Sequence, residues 1–188
     1  PTEKLPPLYH DPSFWGMTIT QFWGAFNDNL YKQLVLLFCA QQALQTQSSD
    51  KQAIALAVFA LPFVFFSGLG GWYADRHTKR TIVIACKVAE IVIALLAMAA
   101  FFTGALLPLL IVLGLLSTQS AMFGPAKYGI LPEMLRNDDL PQANGIIQMT
   151  TFVAIIFGMA SAGFVKQAFP DQLWKTSYFC IGIAVIGT

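Results

Sequence analysis

The sequence has 188 residues, of which 56% are hydrophobic and only 11% are charged. Soluble domains carry about 25% charged residues, and a soluble fold of this length cannot bury so much apolar surface. A lipid bilayer accommodates such a chain, and the net charge of +1 excludes a broad basic surface for nucleic acid.

Long apolar runs follow one another along the chain, and a membrane-spanning helix needs about 20 such residues. Ser13 is the expected N-cap of the first helix, with Asp11 favourable at its start. Pro62 is expected to kink the second helix, and Thr103 with Gly104 to turn the chain after the third. We predict helices over about 14–40, 52–74, 81–102, 107–131 and 140–165, and a sixth, incomplete, over 174–188.

The loops indicate the orientation of these helices. The densest basic cluster, with Arg76, Lys79 and Arg80, lies between the second and third helices, whereas the lysines of the opposite side are spread out. By the positive-inside rule, the basic loop is cytoplasmic. We therefore predict a cytoplasmic N-terminal segment over residues 1–12 and a transmembrane bundle over 13–188.

Charged side chains occur at membrane depth in two helices. Asp28 and Lys32 lie four residues apart in the first helix. Lys87 and Glu90 lie three residues apart in the third. The two residues of each pair share a helix face, and their charges are expected to neutralise each other. Since a charge at the bilayer centre costs at least about 2.5–3.5 kcal/mol, such residues face a bundle interior or a cavity. We predict one polar cavity between helices; ion pairs that only fix packing are the alternative.

Polar neighbours extend the predicted cavity. Asn27 and Asn29 flank Asp28 and add hydrogen-bonding capacity. Lys127 follows Pro125 near a helix end, and from its position alone it is expected to reach the membrane interface as an anchor. Three glutamines are further candidates for the cavity, although each by itself is better explained as an interhelical hydrogen-bonding residue: Gln21, Gln119 and Gln148.

The sequence lacks the patterns of an enzyme or a metal site. It contains no HExxH motif, no phosphate-binding loop and no recognisable Ser/His/Asp set. His10 and His77 are expected to be surface residues. Cys39, Cys86 and Cys180 lie far apart in apolar stretches, without metal-ligand or disulfide spacing. We predict no catalytic residue, no cofactor and no metal.

The loop over residues 71–80 reads GWYADRHTKR and resembles the signature loop of the major facilitator superfamily, roughly G-x-x-x-D-R-x-G-R-K/R. Thr78 stands where glycine is usual. The resemblance implies an all-α integral membrane protein with the bundle of that family, of which this chain is the N-terminal six-helix half, truncated within its sixth helix. In the family this loop braces the two halves of the transporter in one gate state.

The gate residues implied by this resemblance belong to the basic loop and to the end of the fourth helix. Gly71 is expected to permit close helix contact. Glu133 is expected either to pair with Arg76 or Arg80 or to be a solvated charge at the helix end. The full candidate set for a cytoplasmic gate is Gly71, Asp75, Arg76, Lys79, Arg80 and Glu133.

Two further stretches resemble bacterial lysophospholipid transporters. Residues 21–29, QFWGAFNDN, are similar to their first-helix motif, and residues 124–133, GPAKYGILPE, contain their fourth-helix motif P-A-K-Y-G-I-L. Residues 143–145 (ANG) and Lys87 also fit the pattern of that family. Three residues depart from it or have no counterpart there: Lys32, Glu90 and Pro132.

This resemblance implies alternating-access transport of lysophospholipids from the outer to the inner leaflet of the bacterial inner membrane, for reacylation. The implied partners are membrane lipids, the C-terminal half of the transporter, and an acyltransferase and acyl-carrier-protein synthetase, fused or separate. Lys87 is expected to bind the phosphate and Asp28 a head-group amine, with Phe22, Phe26 and Met149 along the acyl chain. The candidate substrate-binding residues are Asp28, Asn27, Asn29, Lys87, Glu90, Lys32, Lys127 and Tyr128.

Two other functions remain open. A proton-coupled drug exporter of the same fold would use Asp28 or Glu90 as its titrating carboxylate. Such exporters usually carry a Gly-Pro motif late in the fifth helix, where residues 158–163 read GMASAG and instead indicate close packing through small residues. The other alternative is a membrane module that presents lipid to an acyltransferase without transporting it.

Overall fold

The computed structural model describes residues 7–46 and 50–168, together with Gly182. These residues are almost entirely helical, which confirms the predicted all-α fold class. The short 3-10 helices Leu8–His10 and Asn137–Asp139 precede the first and the fifth α-helix. The long helices are α1 (Pro12–Thr46), α2 (Asp50–Arg76), α3 (Lys79–Thr103), α4 (Leu106–Met134) and α5 (Leu140–Ala168).

Each of these helices extends a few residues beyond its predicted span. The predicted sixth helix, over 174–188, lies outside the described residues apart from Gly182. The division of the chain into a cytoplasmic segment and a transmembrane bundle stays a prediction.

The first helix begins one residue earlier than its predicted cap. The Oδ1 atom of Asp11 accepts hydrogen bonds from the backbone N–H groups of Ser13 at 2.8 Å and Phe14 at 3.4 Å. Asp11 is therefore the N-cap, and the assignment of Ser13 is wrong. Pro12 occupies the first helical position, where its fixed φ is suitable and its missing N–H would have had no helical partner.

Four helical segments of the described chain are long and apolar enough to cross a membrane: Lys51–Arg76, Lys79–Thr103, Leu106–Met134 and Asn137–Ala168. Helix α1 is not among them, although it has 35 residues and is roughly 50 Å long. Its polar side chains lower its mean hydropathy, and most of them face other helices rather than the outside. Large apolar side chains cover the outer surfaces of α2 and α5, as expected where lipid is the solvent.

The bundle packs with α1 along α5 and with α4 against both α2 and α3. Two glycines allow the closest approaches. A methyl group at Gly158 would lie 2.5 Å from the carbonyl oxygen of Phe26, so α5 and α1 meet backbone to backbone. A methyl group at Gly70 would lie 3.0 Å from the Cα atom of Met122, so α2 also approaches the backbone of α4 closely. Gly158 belongs to the run of small residues over 158–163, so the close helix packing that this run indicated is present.

Contacts between elements fix the relative directions of the helices. Helix α4 runs antiparallel to α1, because Asp28 contacts Ser120 whereas the Tyr31 hydroxyl donates to the carbonyl of Leu109. The start of α1 therefore lies at the same end of the bundle as the end of α4. Leu8 confirms this arrangement, because it packs with residues of both ends in one apolar cluster.

Candidate functional site

A cavity of about 400 Å³ lies between the five helices. This volume is within the range of small-molecule binding pockets. Its walls combine charged, amide and aromatic side chains from α1, α2, α3, α4 and α5. The charged residues that line it are Asp28, Lys32, Lys87, Glu90 and Lys127.

Two of the predicted substrate-binding residues, Asn27 and Tyr128, lie outside this cavity. Asn27 borders a separate small void beside Tyr31, and its Oδ1 atom is buried without a hydrogen-bond partner in the described structure. Tyr128 is 41% exposed and donates a hydrogen bond to Gln148 at 2.8 Å. Asn27 precedes the lining residue Asp28 in sequence, and Tyr128 follows the lining residue Lys127. Since successive helix residues point roughly 100° apart, such neighbours do not share a face.

Lys87 and Glu90 form a buried ion pair across one turn of α3. The Nζ atom of Lys87 lies 2.7 Å from Oε2 of Glu90 and also donates to the carbonyl of Thr20 at 3.3 Å. Gly24 of α1 faces this pair, and a methyl group there would lie 3.0 Å from Nζ. The pairing expected from the i, i+3 spacing is present, and a glycine on the neighbouring helix leaves room for it.

Asp28 makes a different contact from the one expected. Its Oδ2 atom accepts a hydrogen bond from the hydroxyl of Ser120 on α4. The described residues show no direct ion pair between Asp28 and Lys32, although the two charges still attract each other across the cavity wall. Lys32 instead donates to Oδ1 of Asn29 at 2.7 Å, and its ammonium lies 4.7 Å from the ring centroid of Phe59. Helical side chains lean toward the N-terminus, which brings Lys32 to the amide one turn earlier.

Two carboxylate oxygens in this cavity are buried and have no hydrogen-bond partner in the described part of the chain. They are Oδ1 of Asp28 and Oε1 of Glu90. An ionised carboxylate only accepts hydrogen bonds, so both atoms are available to a donor. Buried polar atoms without a partner are uncommon in native proteins and mark places where a ligand or water fits.

Lys127 is buried rather than anchored at the interface. Its side chain lines the cavity and its ammonium lies 4.5 Å from the ring centroid of Tyr128. Among residues 7–46 and 50–168, no carboxylate is within ion-pair distance of it. The predicted interface anchor is wrong because a side chain near the C-terminal end of a helix leans back toward the N-terminus. In α4 that direction leads into the bundle.

The amide and hydroxyl lining was predicted in part. Gln21 lines the cavity and donates to Oγ1 of Thr151 at 3.2 Å. Gln119 lines it as well and donates to the carbonyl of Cys86 at 3.2 Å. Gln148 does not line it. Ser120 was missed, because a lone serine in an apolar helix gives no signal until its partner on another helix is known.

The apolar wall consists of residues that the sequence did not single out. Phe22 and Phe26 pack in the apolar core of the bundle, and Met149 is 60% exposed. None of the three therefore lines the cavity as expected. The actual wall comes from α2, α4 and α5, whose facing residues were not known before the helices were placed. It consists of Phe59, Phe63, Phe123 and Ile155.

At the end of the bundle where α3 begins and α4 ends, Lys79 pairs with Glu133. Their Nζ and Oε1 atoms are 2.6 Å apart. The prediction that Glu133 pairs with Arg76 or Arg80 is wrong, since Lys79 begins α3 directly opposite the end of α4. The stem of Lys79 crosses Gly129, where a methyl group would lie 2.9 Å from its Cε atom.

The other predicted gate residues are exposed at this end. Arg76 lies over the ring of Trp72, with Cζ 4.2 Å from the ring centroid, and Asp75 and Arg80 are solvent-facing. A methyl group at Gly71 would meet nothing within 4 Å, so the expected close contact there is wrong. Gly70, one residue earlier, makes the close contact with α4.

The histidine and cysteine residues within 7–46 and 50–168 are not among the residues that line the cavity. His10 and His77 are exposed, and Cys39 and Cys86 are buried free thiols. Cys180 lies outside the described residues. In the described ranges, no three His, Cys, Asp or Glu side chains come together as metal ligands.

Comparison with known proteins gives two findings. The family model of the Major Facilitator Superfamily matches residues 13–188. The chain is also similar to curated proteins named lysophospholipid transporter LplT. That of Photorhabdus laumondii is 30% identical over 151 residues, which are 79% of this chain and 35% of the relative.

Two further proteins of that name are similar to the same extent. That of Pectobacterium carotovorum is 31% identical over 172 residues, covering 86% of this chain and 37% of the relative. That of Salmonella heidelberg is 31% identical over 147 residues, covering 77% and 34%. The chain thus spans about a third of the length of the curated relatives it matches.

Proposed function

Since this chain belongs to the major facilitator superfamily, we propose that it forms part of a transporter that moves lysophospholipids across the bacterial inner membrane. The similarity to lysophospholipid transporters supports this substrate class. The proposed direction is from the outer to the inner leaflet, by alternating access, with the N-terminus in the cytoplasm. Reacylation by an acyltransferase, acting with an acyl-carrier-protein synthetase, would follow on the inner side.

The observation that carries the proposal is the buried ammonium of Lys127 at the cavity. A buried cation without a counter-ion is costly, and a bound anion offsets that cost. The cavity contains three lysines against two carboxylates, which favours a ligand with a negative charge. A lipid phosphate supplies it. Because Lys87 is already neutralised by Glu90, Lys127 is the better phosphate ligand of the two.

The remaining lining fits the other parts of such a substrate. Oδ1 of Asp28 and Oε1 of Glu90 are acceptors for the amine or hydroxyl groups of a head group. The rings of Phe59, Phe63 and Phe123 give an apolar wall against which the start of an acyl chain can lie. In two-halved transporters the substrate site lies at the interface of the halves, so the C-terminal half would complete the cavity.

The exposed charges near Lys79 are proposed to form the cytoplasmic gate. The pair of Lys79 with Glu133 holds the ends of α3 and α4 together. Asp75, Arg76 and Arg80 are exposed beside it and are the groups available to the C-terminal half. Opening and closing of this end would then accompany transport.

The test is leaflet transfer in proteoliposomes containing the full-length protein. A lysophospholipid with a labelled acyl chain is added outside, and the fraction that albumin no longer extracts is followed over time. We expect Lys127→Gln to slow transfer about tenfold or more, since a charge-assisted hydrogen bond is lost. Lys166→Gln is the control, because Lys166 is a half-buried lysine that donates to the carbonyl of Leu37, away from the cavity. Wild-type transfer no faster than in protein-free vesicles contradicts the proposal.

Two alternative functions give different results in the same vesicles. The buried carboxylates Asp28 and Glu90 favour a proton-coupled exporter as the second candidate, and substrate-driven acidification of trapped pyranine would support it. A membrane module that only presents lipid to an acyltransferase would give no leaflet transfer when assayed without its enzyme.

A further inference from the structure

We propose that Lys32 forms a second phosphate-binding subsite in the cavity, together with Asn29 and Phe59 and separate from the subsite at Lys127. This inference rests on the proposed function and adds a subsite to it.

The surroundings of Lys32 leave it able to bind an anion. Its ammonium has three N–H donors, of which one is used by Oδ1 of Asn29 at 2.7 Å. The face of Phe59 lies on another side, 4.7 Å from Nζ to the ring centroid, and supports a cation electrostatically. In the described part of the chain, no carboxylate lies within ion-pair distance of Nζ. Lys32, Asn29 and Phe59 all line the cavity, so a phosphate there can reach the remaining donors.

The two lysines lie at different depths in the bundle. The hydrogen bond between Asp28 and Ser120 sets a common level on the antiparallel helices α1 and α4. Lys32 is one turn beyond Asp28, and Lys127 is about two turns beyond Ser120, in the opposite direction along the bundle axis. Their Cα atoms are therefore roughly 16 Å apart along that axis, and their ammonium groups are closer together, because both side chains lean toward the level of Asp28.

Two cationic subsites at different depths serve the passage of a phosphate. A transported group must bind well enough to enter and weakly enough to leave, which several moderate sites achieve better than one strong site. The phosphate of the head group would occupy Lys32 on one side of the level of Asp28 and Lys127 on the other. Asp28 and Glu90 lie between the two lysines. Their unpartnered oxygens would accept hydrogen bonds from the donors of the head group there.

The test measures equilibrium binding to the full-length protein in detergent. The two ligands are a lysophospholipid and the matching monoacylglycerol, which lacks the phosphate. In the Lys127→Gln background, where Lys32 is the remaining subsite, we expect Lys32→Gln to weaken lysophospholipid binding about tenfold and to leave monoacylglycerol binding unchanged. Lys32→Arg keeps the charge and should keep most of the affinity. Lys166→Gln, the control, should change neither ligand.

A double variant distinguishes two subsites from one. If the phosphate occupies either Lys32 or Lys127 in turn, each single variant leaves the other subsite intact. For subsites of equal strength, Lys32→Gln and Lys127→Gln then each weaken binding only about twofold, and the double variant loses more than the product of the two losses. If both lysines hold one phosphate at the same time, each single variant already causes a large loss, the double variant loses no more than the product, and the inference of a separate subsite is overturned. Removal of an unpaired charge is not expected to lower thermal stability. Thermal unfolding, followed by labelling of the buried Cys39 and Cys86, checks this for each variant.

Soluble competitors identify the source of the phosphate. A glycerophosphodiester with the same head group should displace the lysophospholipid from the wild-type protein more strongly than from Lys32→Gln, whereas inorganic phosphate should compete poorly. Strong competition by inorganic phosphate alone would make this a site for the free ion and overturn the lipid assignment. A double variant that binds lysophospholipid as well as Lys127→Gln does rejects the second subsite and leaves the transport proposal standing. A wild-type protein that does not prefer lysophospholipid over monoacylglycerol rejects both.

Discussion

Two ion pairs that involve helix α3 have nearly the same distance between nitrogen and oxygen and very different surroundings. Lys87 and Glu90 are 2.7 Å apart, with side chains only 6% and 2% exposed. Lys79 and Glu133 are 2.6 Å apart, with side chains 23% and 56% exposed. Distance alone therefore says little about what either pair contributes. A buried pair holds charges that are costly to separate, whereas an exposed pair competes with water and salt.

Each pair is also faced by a glycine of a neighbouring helix. Gly24 lies against the buried ammonium of Lys87, and Gly129 lies under the stem of Lys79. In the first case the obstructing group is a buried charged head that is held by Glu90 and by the carbonyl of Thr20. In the second it is the middle of a flexible side chain at the surface. The same residue type thus has a strict requirement at one site and a weak one at the other.

The largest expected effect is that of Glu90→Gln, which leaves Lys87 buried without its counter-ion. We expect a loss of about 3–5 kcal/mol in the free energy of unfolding of the full-length protein. Unfolding in mixed micelles by SDS titration measures it. Replacing both Lys87 and Glu90 by leucine should be much less harmful, because no charge is then stranded. A double variant as unstable as Glu90→Gln would contradict this account of the pair.

An intermediate effect is expected when a methyl group is added next to the buried pair. Gly24→Ala should lower the free energy of unfolding by about 1–3 kcal/mol, since the added carbon lies 3.0 Å from Nζ of Lys87. Gly129→Ala is the matched control on α4. There the stem of Lys79 can shift, and alanine adds up to about 1 kcal/mol of helix propensity. Equal losses in the two variants, by the same titration, would remove the distinction between the two sites.

The smallest effect is expected for Glu133→Gln, which opens the exposed pair. Its contribution to the free energy of unfolding should be within about 0–1 kcal/mol, and smaller still at high salt. The proposed role of this pair is at the gate rather than in stability. Leaflet transfer should therefore change more than the unfolding midpoint does. A midpoint that falls as far as in Glu90→Gln would show that Glu133 stabilises the fold after all.

The sequence was sufficient for the features that depend on local spacing. Apolar runs located α2 to α5, and the i, i+3 spacing of Lys87 and Glu90 identified their ion pair. Helix α1 was predicted from the length of its apolar run and from the residues that begin it, although its polar residues lower its hydropathy below that of a typical span. These features need only the period of a helix and the cost of charge in lipid.

The features that depend on how helices meet were not predictable from one sequence. Ser120 as the partner of Asp28, and Lys79 rather than an arginine as the partner of Glu133, require the relative positions of two helices. The inward direction of Lys127 was in principle available, because helical side chains lean toward the N-terminus. Its position near a helix end led to the opposite prediction.

The central claim is that the charged residues of α1, α3 and α4 face one hydrated cavity that receives the substrate. Gly124 lines this cavity, and an added Cβ atom there would meet nothing within 4 Å. Ser117, on the same helix, is fully buried away from the cavity lining. The most direct test compares the labelling of Gly124→Cys and Ser117→Cys by a charged, water-soluble methanethiosulfonate reagent in the full-length protein. We predict rapid labelling of Gly124→Cys that lysophospholipid slows, and no labelling of Ser117→Cys. A Gly124→Cys thiol that does not react, or that reacts equally fast with and without lysophospholipid, would contradict the claim.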